Sequence, residues 1–430
     1  MFSFLFQNPR IGFLLLPALA LAACQTEPAR KAEKTAWLQE QSIPIFSINP
    51  GDTIFSDLQF LKEELKGVEI IGLGEQSHGD GSTFLAKARL VKFLHQEMGF
   101  SLLAFESGIL DCTLALQAFE GGATIDSAFR AGVFKIWSNS SEVAELRQYA
   151  GSAIADASTP PFVGFDCQLS GNLPPQVRAD AICRFLQQEH PGFDSSVFSL
   201  VWQVLAPDSP KNFAHWKRDA IFQQAFFAQL DSLSRLAARL QPATLEGRLM
   251  QRGVSGLKHY YFFIWKMNAI NPDYSALNVR DSVMAANLAW LKEEIFPGRK
   301  VIIWAANTHL GYERQKLKYP DAMHPMGSYL KQWYGDKYYV LSFTAYTGRY
   351  GSLQSGLRNV PACSNKSLEY LWADTGYPNA CLRRGALATF PFEHPFQARL
   401  YGYANWYAEW PEMTDGIFFI RDMLPSHVVD

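Results

Sequence analysis

Three common catalytic signatures are missing from this 430-residue chain, and each absence weighs against a class of chemistry. No G-x-S-x-G occurs, so there is no nucleophile elbow to present an activated serine. No H-E-x-x-H or comparable local spacing of ligands occurs, and the six cysteines include no C-x-x-C, so no short motif marks a metal site. Residues 72–77 (GLGEQS) fall short of a dinucleotide-binding G-x-G-x-x-G, because Ser77 stands at the third glycine and Glu75 would repel a pyrophosphate. Charge of one sign is also lacking. The net charge is −2, both signs are interspersed, and no basic block is present, so nothing suggests a nucleic-acid partner. Internal repeats and low-complexity segments are absent as well.

Long apolar runs are scarce. The run at residues 11–23 is shorter than the ~20 residues that cross a bilayer. Arg10 precedes it and Leu21-Ala22-Ala23-Cys24 ends it, which reads as a signal peptide over residues 1–23. The junction looks like a bacterial lipobox, so cleavage before Cys24 and lipid on its sulfur are expected. Gln25 rather than Asp after the cysteine points to the outer membrane, and hence to an exported lipoprotein of the cell envelope. Residues 24–45 are polar and charged and read as a tether, leaving residues 46–430 for one α/β domain. Five cysteines remain besides Cys24. An oxidising compartment allows pairing, and Cys363 and Cys381, flanking a loop-rich segment, are the best candidate pair.

What is present is concentrated between residues 68 and 108. An apolar run at 68–73 (VEIIGL) has the length of a buried strand, and Gly74, Glu75 and His78 follow it. Ser82 or Thr83 can cap a helix that runs to about Met98, with Gly99 as its stop. A second apolar run, 101–105, ends on Glu106. Strand, helix and strand of this length read as a right-handed βαβ unit with parallel strands. Polar groups just past the carboxyl ends of such strands share one crevice. Lys87 sits on the apolar stripe of the helix, at i+3 from Phe84 and i−4 from Val91. Its ammonium either snorkels to solvent or reaches the crevice and meets the carboxylates there, and its place in the crossover helix favours the crevice.

The pattern repeats downstream. A strand at 162–165 ends on Asp166, and another at 300–305 (KVIIWA) runs into Ala306, Asn307 and His309. Strands at 338–343 and 416–420 complete the expected sheet. Between about residues 175 and 296 the periodicity is helical, read as a large helical insertion that covers the sheet edge and supplies much of the pocket. Arg280 and Asp281 begin a helix within it, where Arg280 could reach the crevice. The expected fold is therefore α/β, with a mostly parallel central sheet, flanking helices and the helical insertion.

These residues resemble the erythromycin esterase family. The likeness lies in the GE-x-x-H core (Gly74, Glu75, His78), the strand-end Glu106, Gly164-Phe165-Asp166, the run 278–287 (NVRDSVMAAN) and Trp304-Ala305 with Asn307 and His309. Three positions depart from it: Ser82 stands where many members have glutamate, Lys87 where the well-studied esterases have arginine, and Ala306 where they have histidine. The resemblance implies an erythromycin esterase-like fold, a response to antibiotic, and metal-independent hydrolysis of carboxylic esters or lactones without a cofactor. In that reading His78 takes a proton from water, Glu75 or Glu106 holds its tautomer, and His309 completes the catalytic set. Lys87, Asn307, Arg280 and Asp166 then bind the substrate or its oxyanion. His78, His309, Glu106 and Asp166 would also suit a metal-dependent hydrolase, and a lipoprotein that binds a small molecule without turning it over uses the same residues. Both alternatives stay open.

Overall fold

The computed structural model describes residues 27–156, 158–206, 219–267, 275–318, 323–352, 356–391 and 394–428. The expected signal peptide and Cys24 lie outside the described residues. Eleven strands are present among them: β1 Ile43–Pro44, β2 Ile70–Leu73, β3 Phe100–Gly108, β4 Val163–Asp166, β5 Lys300–Trp304, β6 Tyr338–Ser352, β7 Gly356–Asn359, β8 Asn379–Leu382, β9 Phe396–Ala398, β10 Trp406–Ala408 and β11 Gly416–Met423. Nine form one sheet in the order β1-β8-β11-β6-β2-β5-β3-β4, with β7 added to the far end of β6. The run from β11 to β4 is parallel throughout, and the antiparallel pairings are confined to β8, β1 and β7. β9 and β10 make a separate hairpin.

The sheet forms because its central strands are apolar on both faces, as strands covered by helices on each side must be. In β2, Ile70 faces one core and Ile71 the other, and in β3 Leu102 and Ala104 oppose Leu103 and Phe105. The helix Gly81–Met98 covers one face through Phe84, Val91 and Leu94, and ends at Gly99, whose φ of 71° suits a left-handed cap. The helix Ser275–Trp290 covers the other face through Met284, Ala285 and Leu288. Between β4 and β5 the described residues are mainly helical. Pro175–Glu189, Ala220–Arg239 and Leu245–Met267 pack around a core of their own against Leu110 and Leu114.

β2 and β3 are parallel, as expected, and β5 lies between them and bonds to both. Three expectations change. β6 runs well past its expected end, to Ser352, where it pairs with β7. Much of the expected tether is folded: Glu27–Gln41 is a helix that buries Leu38 and sets Trp37 edge-on against Phe390 at 5.1 Å, and β1 pairs with β8. Cys363 and Cys381 are both free thiols. Cys381 is a sheet residue held between Ile43 and Phe418, with its side chain committed to the core, whereas Cys363 lies in a half-buried loop.

Candidate active site

Glu75 is the hub of the crevice. Strand β2 delivers it to the carboxyl edge of the sheet, fully buried, and three donors converge on its carboxylate. His78 Nδ1 lies 2.8 Å from Oε1, Trp137 Nε1 donates to the same oxygen at 2.9 Å, and Lys87 Nζ donates to Oε2 at 2.9 Å. The tight approach at this edge requires Gly74. A β-carbon there would stand 1.8 Å from Asn307 Oδ1, well inside any real contact.

The bond to Glu75 sets the tautomer of His78. Nδ1 carries the proton toward the carboxylate, which leaves the Nε2 lone pair for the open side. The His78 side chain is 39% exposed and lines a cleft of about 290 Å³ with Gln76, Ser77, Phe134, Ile136, Ala306 and Thr308. The rings of Trp137 and Phe134 stand edge-on to the imidazole at 5.6 and 6.3 Å. Burial pushes the imidazolium to lose its proton, but the hydrogen bond and charge of Glu75, with the charge of Glu106 beyond, outweigh it. His78 therefore titrates above the ordinary imidazole value.

A second cluster lies beside the first. Arg280 donates to both Asp166 oxygens, at 2.6 Å from Nη2 to Oδ2 and 3.3 Å from Nε to Oδ1, and to Glu106 Oε1 at 2.7 Å. The backbone N–H of Ala306 donates to Glu106 Oε2 at 3.0 Å. His309 Nδ1 lies 2.7 Å from Asp281 Oδ1, and its Nε2 lies 3.1 Å from Arg280 Nη1 and 3.3 Å from Glu106 Oε1. Burial disfavours the charged imidazole, yet Asp281 and Glu106 outweigh it and hold the His309 pKa above its usual value. Glu106 moves the other way: burial raises it, but His309 and Arg280 bring it down to about 2.

The two clusters sort the expected site residues. Glu75, His78, Glu106, Asp166, Arg280 and His309 do gather at one edge of the sheet. Glu106 does not touch His78 through a hydrogen bond, because its oxygens are occupied by Arg280 and the Ala306 amide, and it acts on His78 through charge alone. Lys87 is fully buried and reaches the crevice from behind, bonded to Glu75 and 4.2 Å over the Trp304 ring. It faces a carboxylate rather than a substrate, so its expected role as an oxyanion donor fails on geometry. Asn307 fails in the same role, since its amide donates to Phe343 O at 2.9 Å and Leu400 O at 2.7 Å and accepts from Phe343 N, stitching loop to sheet. Among the described residues no cluster of three or more His, Cys, Asp or Glu is arranged around a metal position. A guanidinium stands where Glu106 and Asp166 converge, so that pair is charge-matched to a cation already in place. The region 175–296 contributes Arg280 and Asp281 to the site but none of the described residues that line the cleft.

Trp137, Phe134, Ile136 and Asp281 were not legible as site residues in the sequence. Asp281 alone carried a signal, as the neighbour of Arg280. The aromatic wall is delivered by the short helix Lys135–Ser138, and no local motif announces it.

Residues 95–423 match the family model described as Erythromycin esterase. A Bacillus subtilis (strain 168) protein named "Putative hydrolase YbfO" is 24% identical, with 97% of each chain covered. "Erythromycin esterase type II" of Escherichia coli is 23% identical over 74% of this chain and 78% of that protein. Among solved structures, a mutant of the erythromycin esterase EreC in its open conformation superposes with a TM-score of 0.67 at 17% identity, covering 89% of this chain and 98% of that one. At that identity the last likeness speaks for the fold.

Proposed function

Because the chain belongs to the erythromycin esterase family, we propose that it is a hydrolase that opens carboxylic esters or lactones with a water activated by His78. The observation that carries this reading is the contact between His78 Nδ1 and Glu75 Oε1 at 2.8 Å, with the imidazole open to the cleft. Water held at Nε2 gives its proton to His78 as its oxygen attacks the carbonyl carbon. The tetrahedral adduct then expels the alkoxide, which takes the proton from His78, and the products are a carboxylic acid and an alcohol, or one hydroxy acid from a lactone. Glu75 stabilises the imidazolium formed on the way. With Lys87 and Asn307 engaged elsewhere, the groups left to favour the oxyanion are Thr308 in the cleft wall and the Arg280 guanidinium beside His309.

The matching experiment is a panel of esters and lactones turned over by the chain from about residue 27. His78→Ala is expected to lower kcat by at least ~10²-fold, the low end for loss of a general base. A wild type inactive on the whole panel, or a His78→Ala variant that keeps its rate, overturns the proposal. In the same reading, lipid on Cys24 holds the enzyme at the cell envelope, and mass spectrometry of the mature N-terminus should find residues 1–23 removed and the cysteine acylated.

A further inference from the structure

The separate hairpin of β9 and β10 turns at residues 399–405, and three residues from the carboxyl edge of the main sheet are tied to that turn. Gln76 Nε2 donates to Arg399 O at 2.6 Å, Asn307 Nδ2 donates to Leu400 O at 2.7 Å, and the Tyr403 hydroxyl donates to Asp80 Oδ1 at 2.8 Å. Gln76 and Asp80 stand two residues before and two residues after His78. The hairpin turn therefore grips the segment that carries the imidazole from both sides.

Asp80 and Tyr403 both go against local preference. Asp80 is the N-cap of the helix Gly81–Met98, where an aspartate ordinarily accepts from an amide of the first helical turn. Its carboxylate makes no such bond. Oδ2 accepts instead from the backbone N–H of Ser77 at 2.9 Å, which closes a turn around His78 and Gly79, and Oδ1 takes the Tyr403 hydroxyl. Tyr403 has a φ of 61°, in the left-handed region that a bulky side chain rarely adopts. Both residues are buried, and the Tyr403 ring packs on Tyr350 at 4.8 Å. Such departures persist only where the surrounding structure over-determines them, and they gather where a group has to be aimed.

The hairpin turn is itself fixed. Arg399 is fully buried, its backbone N–H donates to Glu369 Oε1 at 2.9 Å, and its guanidinium holds Pro361 O at 2.5 Å and Tyr346 O at 2.8 Å. Loosening the Asp80 contact thus frees the His78 segment rather than the hairpin.

We propose that Asp80 is a positioning residue for the base, and that through it Tyr403 holds the His78 imidazole at its 2.8 Å contact with Glu75. The inference rests on the reading of His78 as general base and adds what aims it. The charged and titratable groups that face His78 are Glu75, Glu106 and His309. Those that face Asp80 are Tyr403, Glu75 and His78, with Lys87 on the helix and Arg399 5.8 Å over the Tyr403 ring. Burial pushes the Asp80 carboxyl up to about 7, against the hydrogen bonds of Tyr403 and Ser77. Asparagine therefore imitates it, since the amide oxygen can accept from Ser77 and the amide nitrogen can donate to the Tyr403 oxygen.

Carbon-13 NMR of the His78 imidazole, assigned by its loss in His78→Gln, tests this without any substrate. In the wild type His78 is expected to titrate above 6.5. Tyr403→Phe and Asp80→Ala are expected to bring it back toward 6.5, because Nδ1 drifts from Glu75, while Asp80→Asn keeps it high. On p-nitrophenyl acetate, Tyr403→Phe is expected to lower kcat by about tenfold and Asp80→Ala by about 10²-fold, with KM within about twofold and Asp80→Asn retaining most of the rate. Variants that lose stability but leave the His78 pKa where it was overturn the proposal. So does an Asp80→Asn that shifts the pKa as far as Asp80→Ala, which would assign the effect to charge. Tyr403→Phe removes one oxygen and decides the matter should Asp80→Ala fail to fold. A pKa that moves as expected in a chain that hydrolyses no ester leaves the positioning in place and removes the hydrolase reading alone.

Discussion

Lys87 and Glu75 form an ion pair with both side chains fully buried, 2.9 Å apart, and its energetics can be taken apart. Lys87→Met removes the ammonium and leaves Glu75 Oε2 without its donor in a dry site. Glu75→Gln removes the carboxylate and leaves the ammonium with Ala305 O at 3.4 Å and the Trp304 ring. Breaking a buried pair from one side typically costs about 3–5 kcal/mol, a large share of the ~5–15 kcal/mol that holds a domain folded. The double variant Glu75→Gln/Lys87→Met has no charge left to strand. Its cost is expected to fall short of the sum of the singles by about 2–3 kcal/mol, within the range of contacting pairs. Urea unfolding of the four proteins at pH 7 measures this. The pH–rate profiles add an independent sign. Glu75→Gln removes the main support of the His78 proton, so the acid limb moves to lower pH. Lys87→Met removes a cation near the imidazolium, so the limb moves to higher pH. Costs that add within ~0.5 kcal/mol, or limbs that move together, would refute the picture of one coupled hub.

Three further outcomes follow from single contacts. In the wild type, activity should rise with pH through a limb above 6.5, because the active base is the unprotonated His78 and its pKa is raised; a limb below 6.5 contradicts the Glu75 contact. Glu106 is held at about 2 in the fold against an ordinary 4.5, so its contribution to stability is complete above about pH 4.5 and is lost as pH falls toward 2. Arg280→Gln should flatten acid unfolding across that window, and an unchanged slope would deny the clamp. Ala306 lines the cleft where the resemblance places a histidine, and one oxyanion donor is worth about 10²–10³ in rate. The wild type should therefore favour simple esters over erythromycin in kcat/KM, with Ala306→His narrowing the gap; fast opening of erythromycin by the wild type would remove this argument.

The sequence by itself determined the six parallel strands of the sheet and the edge where its polar residues gather. A strand covered on both faces must be apolar at consecutive positions, and it can turn polar only where it leaves the sheet. The runs ending before Glu75, Glu106, Asp166 and Asn307 therefore announced both the strands and their carboxyl edge. Gly99 marked the helix stop because its φ of 71° suits a residue without a side chain. Tertiary structure decided everything that depends on residues far apart in the chain. The insertion of β5 between β2 and β3 brings residues 200 positions apart into register, as Phe100 pairs with Lys300, and no local pattern encodes that order. It turned Asn307 into the sheet, folded much of the supposed tether onto β8, kept Cys381 from Cys363, and brought Trp137 against Glu75. Lys87 shows the division most plainly. Its place on an apolar stripe was visible in the sequence, but only packing against Trp304 and Glu75 decided that the charge is buried and paired with the carboxylate that holds His78.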